Sequence, residues 1–226
     1  MIPGVTVEAS PEAVWVRSQA PLRALSSAVT GGGLVTTRVI VNMHVPRGYH
    51  CGDPAGDLVA FARRAGVDEP FVGLMTAAWT DQAVTVTEAA DGVGVLVVAT
   101  VGLGGAIAAG LSGVAAWSPS TINLIAVVDA ALEPAAAVNG VATVTEAKVA
   151  TLAAAGIRTR DGQPATGTLT DAVVIAWTGR GAVLPYLGPA TPGGWLLARA
   201  VREAVGRGLV RDRPPDSTLR ADGLEP

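Results

Sequence analysis

Ser118-Pro119-Ser120-Thr121-Ile122-Asn123 runs directly into the apolar segment Leu124 to Val128. An alanine-rich helical pattern follows, holding Thr145-Glu146-Ala147-Lys148, and Thr166-Gly167-Thr168-Leu169-Thr170-Asp171 then leads into the apolar run Ala172 to Trp177. Polar groups cluster in this otherwise apolar stretch. Between Asp91 and Arg158 the formally charged side chains are Asp129, Glu133, Glu146 and Lys148 alone. Isolated charges in apolar surroundings need a partner or a task.

Glu146 and Lys148 are two apart, so on a helix they do not face each other, and neither has a charged neighbour three or four positions away. At about 100° per residue, Val138, Val141, Ala142, Val149 and Leu152 make the expected buried stripe, with Glu146 and Lys148 on its opposite edges. Both could extend to water; alternatively they line a pocket shared with the threonine-rich segment. An extended reading of that segment puts Thr166, Thr168 and Thr170 on one side and Asp171 on the other. Gly167 lets backbone approach a ligand closely, whereas capping hydroxyls at a strand entry are the plainer account.

At these residues the chain resembles the adenosylcobinamide amidohydrolases of corrinoid salvage. The resemblance rests on Asn42 after an apolar strand, Thr121-Ile122-Asn123, Thr145-Glu146-Ala147-Lys148, Thr166-Gly167-Thr168-Leu169-Thr170-Asp171, and a Gly188 to Gly194 loop before the last helix. It covers Val35 to Leu209, and it departs from the family at Ser120, where a glycine is usual. It implies hydrolysis of the amide joining aminopropanol to the corrin ring of adenosylcobinamide, giving adenosylcobyric acid for cobalamin salvage. Cobalt would enter with the substrate, and no further cofactor is implied. The resemblance also implies substrate-binding roles for Asn42, Thr121, Asn123, Thr166, Gly167, Thr168, Thr170, Thr191 and Gly194.

Outward from this stretch, β-branched Val35 to Met43 reads as a strand, and two short runs around Ala9-Ser10-Pro11 read as a strand pair. Phe71 to Ala78, Ala83 to Ala89 and Val93 to Val101 read as an antiparallel meander. Helices are expected over Gly56 to Ala65, capped by Asp53, from about Glu133 to Ala155, and over Gly194 to Gly206. Strands grouped in this way favour an α+β layered domain, with largely antiparallel or mixed sheets packed against helices and room for a two-sheet core between helix layers. One domain is expected over residues 1–210, with a disordered tail over 211–226.

A net charge of −3 and the lack of a basic run with interleaved aromatics argue against a nucleic-acid surface. The single cysteine, Cys51, excludes an internal disulfide and fits a reducing cytoplasm. Met1-Ile2-Pro3-Gly4 does not read as a signal peptide. The uncharged run Gly92 to Trp117 is broken by seven glycines and reads as a buried strand and close-packed turn, not a membrane span. His44 to Pro54 carries both histidines and Cys51, but its spacing fits no zinc template, and it reads as a loop closing over substrate. Trp79, Trp117, Trp177 and Trp195 are core or rim residues. The sequence is silent on oligomeric state and leaves a homo-oligomer open.

Serine-elbow, phosphate-loop, zincin and dinucleotide templates are absent. For amide hydrolysis the catalytic candidates are Glu146, Lys148 and Asp171. In one route Glu146 or Asp171 activates water, Lys148 stabilises the oxyanion or protonates the amine, and Asn123 with the Gly167-Thr168 backbone orients the carbonyl. In the other, Thr168 or Thr170 attacks with Lys148 as base. A non-catalytic corrinoid carrier is the alternative function class, and it would not need Glu146, Lys148 and Asp171 to converge.

Overall fold

The computed structural model describes residues 1–114 and 121–212. Strands β1 (Val5–Ala9), β2 (Ala13–Ser26) and β3 (Gly33–His44) precede helix α1 (Pro54–Arg64) and strand β4 (Val72–Thr76). A 3₁₀ turn at Thr80–Gln82 leads to β5 (Val84–Ala90), β6 (Val93–Val101) and the short β7 (Ala106–Ile107). Then come β8 (Ile122–Asp129), β9 (Ala131–Leu132), α2 (Pro134–Ala154), β10 (Gly167–Thr168), β11 (Ala172–Trp177), β12 (Val183–Leu184) and α3 (Pro192–Asp212).

The principal sheet has the order β4-β3-β2-β11-β8-β6-β5, with β1 added to β2. Alternation of side chains along its strands sorts the apolar residues into three clusters. On β2, Val14, Val16, Leu22 and Ala24 join Ile40 of β3 and Leu74 of β4 in the same cluster as Leu96 and Val98 of β6 and Ile125 and Val127 of β8. One continuous sheet can bring such distant strands together only by folding over, so that its two halves face each other. The opposite faces are covered by helices: Ala13, Trp15, Val39 and Val41 pack with Leu58 and Ala62 of α1. Leu124, Ala126, Val128, Val95 and Val97 pack with Leu152 of α2 and Leu197, Val201 and Val205 of α3. The result is a helix, sheet, sheet, helix sandwich within the expected α+β layered class.

The bend has a visible cause in β2. Its pairing with β3 breaks register between Arg17 and Leu22. The half before the break pairs with β1, and the half after it pairs with β11. An irregularity of this kind lets a long strand bend and cross between layers.

Three expectations are corrected. Phe71 to Ala78 does not join a meander: β4 runs parallel to β3 at one end of the strand order, while β5 pairs with β6 at the other. The connection between β4 and β5 is no tight hairpin turn, because it contains the 3₁₀ segment whose buried Thr80 hydroxyl donates to Ser10 O at 2.7 Å. On α2 the buried face is Ala136, Ala137, Gly140, Thr143, Val144, Ala147, Lys148, Thr151 and Leu152, while Val138 is 60% exposed. Of the expected stripe Leu152 is buried, and close packing against β11 and the Leu187 loop selects mostly small residues for the rest of the buried face. Helix α3 is longer than Gly194 to Gly206, and Arg211 and Asp212 are helical rather than disordered: Arg211 Nη1 donates to Gln82 O and Ala83 O, and Asp212 Oδ2 accepts from Leu103 N at 3.1 Å. The rest of the expected tail, residues 213–226, and Ser118, Pro119, Ser120 and Trp117 lie outside the described residues.

Candidate active site

β8 and β11 are adjacent and parallel, joined through α2, with Ala172 opposite Asn123. Stepping back along that register sets Asp171 beside Ile122 and Thr170 beside Thr121. The side chains follow. Ile122 N donates to Asp171 Oδ1 at 2.9 Å, and Thr121 Oγ1 and Thr170 Oγ1 share a hydrogen bond of 2.7 Å.

Asp171 gathers the site. Its Oδ1 also accepts from the Thr168 hydroxyl, and its Oδ2 accepts from Thr168 N at 3.2 Å and from Lys148 Nζ. The Lys148 and Asp171 side chains are 8% and 13% exposed, which makes this a buried ion pair. A carboxylate offers about four lone-pair sites, and four donors occupy them here. Thr168 and Asp171 therefore do not lie on opposite sides of an extended chain as expected. After the two-residue strand β10, Leu169 and Thr170 form a turn that curls the carboxylate back over Thr168. Gly167 is needed beneath it: a Cβ there would sit 2.9 Å from Lys148 Nζ and collide with the Asp171 carboxylate. Thr166 anchors the same segment: its N donates to Ile107 O of β7 at 2.8 Å, and its hydroxyl accepts from Ala109 N, just past that strand, at 2.9 Å.

Glu146 does not join this pair. Lys148 is buried, while Glu146, two residues and about 200° away, is exposed on the outer face of α2. Asn42 and Asn123 are buried in the seam between the sheet halves. Asn123 Nδ2 donates to Asn42 Oδ1 and to Met75 O, each at 2.9 Å, and its Oδ1 accepts from Ala172 N. Asn42 Nδ2 donates to Thr100 Oγ1 at 2.9 Å. Their chemistry is used in tying the layers together directly beneath the ion-pair turn. Thr191 and Gly194 lie at the start of α3, where the Thr191 hydroxyl accepts from Gly194 N at 3.1 Å and donates to Gly188 O. A Cβ on Gly194 would run into the backbone at Gly188, which accounts for that glycine by packing.

A cavity of about 420 Å³ opens on this turn. It is lined by Thr121, Thr170, Asp171 and Ala172 at the heads of β8 and β11, by Leu74 and Met75 of β4, by Val45, Tyr49, His50 and Cys51 after β3, and by Pro54 at the start of α1. Ser27 and Val29, from the β2–β3 connection, complete the lining; nothing in their sequence context marked them. The histidine-containing loop did carry a signal, and the structure divides it. His50 and Cys51 line the cavity, whereas His44 stacks on Trp79, with ring centroids 5.1 Å apart. The Tyr49 hydroxyl donates to Asp57 Oδ2 at 2.7 Å, fastening the loop to α1. Desolvation, then the bond to Asp57, pushes the Tyr49 phenol above its usual value, and that bond, followed by Cys51 and Arg64, holds Asp57 below the usual carboxylate range. No helix among the described residues is long and apolar enough to cross a membrane.

The family model described as adenosylcobinamide amidohydrolase matches residues 2–215. A curated relative of that name from Halobacterium salinarum is 46% identical over 105 residues, covering 46% of this chain and 42% of that protein's length. Among solved structures, a Burkholderia sp. β-aminopeptidase superposes with a TM-score of 0.51 at 18% identity, covering 93% of this chain and 84% of the other. At that identity the likeness is one of fold. A Pyrococcus horikoshii OT3 protein gives a TM-score of 0.48 at 11% identity, with 93% and 80% covered.

Proposed function

We propose, from the premise that the chain belongs to the adenosylcobinamide amidohydrolase family, that it hydrolyses the amide between aminopropanol and the corrin side chain of adenosylcobinamide. The products are adenosylcobyric acid and free aminopropanol, and the reaction serves corrinoid salvage in the cytoplasm. Cobalt arrives with the substrate, and no other cofactor enters the scheme.

The observation that carries this reading is the pair of threonine hydroxyls, Thr121 and Thr170, 2.7 Å apart on the wall of the cavity, with Asp171 binding the chain next to each. A cavity of about 420 Å³ is too small for a corrin macrocycle but takes its aminopropanol arm. The macrocycle then rests at the mouth, against the Tyr49, His50 and Cys51 loop, and the amide a few bonds from the ring reaches the two hydroxyls. Lys148 holds the Asp171 carboxylate from behind, and Asn42 and Asn123 support the turn from below.

Incubating the purified protein with adenosylcobinamide and resolving the products by chromatography and mass spectrometry tests the reading. Adenosylcobyric acid and aminopropanol in equal amounts support it. Tight binding without any product replaces the hydrolase with a corrinoid carrier.

A further inference from the structure

On the reading that this site cleaves the adenosylcobinamide amide, we infer that Thr121 is the nucleophile, that the reaction passes through an ester on its Oγ1, and that Thr170 relays the proton. A water-activation route through Glu146 or Asp171 needs a carboxylate with a lone pair to spare at the cavity, and neither of these two offers one. Asp171 is filled by Ile122 N, Thr168 N, the Thr168 hydroxyl and Lys148 Nζ, and Glu146 is exposed on the outer face of α2. Thr121 and Thr168 are both buried, but Thr121 lines the cavity, whereas Thr168 does not and donates its hydroxyl to Asp171.

The other cavity groups fit less well. Ser27 Oγ accepts from Val173 N in the strand pairing, and the Tyr49 proton is committed to Asp57. Cys51 belongs to a loop, whereas Thr121 is at the head of β8, with its carbonyl bound by Gly102 N at 3.1 Å and the next amide bound by Asp171. A reacting group held within a few tenths of an ångström needs this kind of rigid support. Asp171 is adjacent in sequence to Thr170 and hydrogen-bonds the residue after Thr121. It is a positioning residue that holds the two hydroxyls at 2.7 Å, and Lys148 acts through it.

The step balances without an added base. Thr121 Oγ1 attacks the amide carbon as its proton passes to Thr170 Oγ1, and the Thr170 hydroxyl proton passes to the amide nitrogen. The C–N bond breaks, aminopropanol leaves as the amine, and an ester joins Thr121 to the corrin side chain. Water then attacks that ester, its proton returns through Thr170 to Thr121 Oγ1, and the carboxylic acid is released.

The test is acid quenching of the full chain during turnover of adenosylcobinamide, with intact-mass and peptide measurements, and product analysis in the presence of hydroxylamine. Thr121→Val keeps the side-chain shape and Thr121→Ser keeps the hydroxyl. The expected result is an adduct of the corrin acyl group on Thr121, hydroxamate formed by partition with hydroxylamine, turnover lost in the valine variant by at least about 10³-fold and largely restored in the serine variant. A folded Thr121→Val that hydrolyses within about threefold of the wild type overturns the nucleophile while leaving the activity in place. A wild-type protein that yields no adenosylcobyric acid overturns both.

Discussion

Removing the lysine from the buried ion pair gives the most quantitative consequence of this structure. Lys148→Met keeps the apolar stem and deletes the charge, leaving the Asp171 carboxylate with three donors, Ile122 N, Thr168 N and the Thr168 hydroxyl. Breaking one side of a buried pair costs about 3–5 kcal/mol, and the three remaining donors place this variant near ~3 kcal/mol. In a chain of this size each kcal/mol moves the melting temperature by about 2–4 °C, so a fall of about 6–12 °C is expected. Asp171→Asn leaves the ammonium without its carboxylate and is expected to cost about 4 kcal/mol. The double variant, with no charge left to strand, is expected to cost ~4 to 5 kcal/mol, a coupling of roughly 2–3 kcal/mol. Urea unfolding of the four proteins measures the cycle. Single effects that add to within about 0.5 kcal/mol would refute the view of Lys148 and Asp171 as one buried unit.

Gly167→Ala puts a methyl group into the pair; because the lysine end can shift, a loss of about 1–3 kcal/mol is expected, with activity falling more than stability, as parallel unfolding and turnover assays will show. Asn42→Ala strands buried groups on Asn123 and Thr100 and is expected to lower stability by about 2–4 kcal/mol in denaturant unfolding. Asp57 is held below its ordinary value of 3.8, so the stability it lends is present above that pH and is lost as pH falls through its lower folded value. Protection factors of residues 45–53, taken against the intrinsic exchange rate at each pH, should therefore be steady between about pH 5 and 8 and should fall below about pH 4, and Asp57→Asn should remove that step.

Much of the layered fold was legible because its strands are long apolar runs with turn residues between them. Val35 to Met43, Ile122 to Val128 and Ala172 to Trp177 read as strands and are strands, within a residue or two at their ends. What periodicity could not show is partner choice. Phe71 to Ala78 has the composition of a meander strand, yet the 3₁₀ turn after it sends the chain away from a hairpin, and only three-dimensional contacts decide that β4 pairs with β3. The α2 face was misread for a different reason. Alanine, glycine and threonine carry little hydrophobic weight, but they are what a close helix contact selects, and turning the face by that amount buries Lys148 and exposes Glu146. At the site, charge scarcity marked Lys148 together with Glu146, hydroxyl density marked Thr166, Thr168 and Thr170 with Asp171 behind them, and the family resemblance pointed to Thr121. Sequence alone could not show that the turn at Leu169 and Thr170 folds Asp171 back onto Thr168, nor that Thr121, 49 residues from Thr170, meets it across a parallel ladder.

In the proposed mechanism Asp171, held by Lys148, fastens Thr121 and Thr170 into one reacting pair. Steady-state kinetics of adenosylcobinamide hydrolysis by Asp171→Asn, in protein whose near-ultraviolet circular dichroism matches the wild type, tests it most directly. A fall in kcat of at least about 100-fold with KM within about threefold is the predicted result, because the pair is loosened while the cavity walls remain. A folded variant that keeps kcat within about threefold would show that Asp171 does not hold the reacting pair.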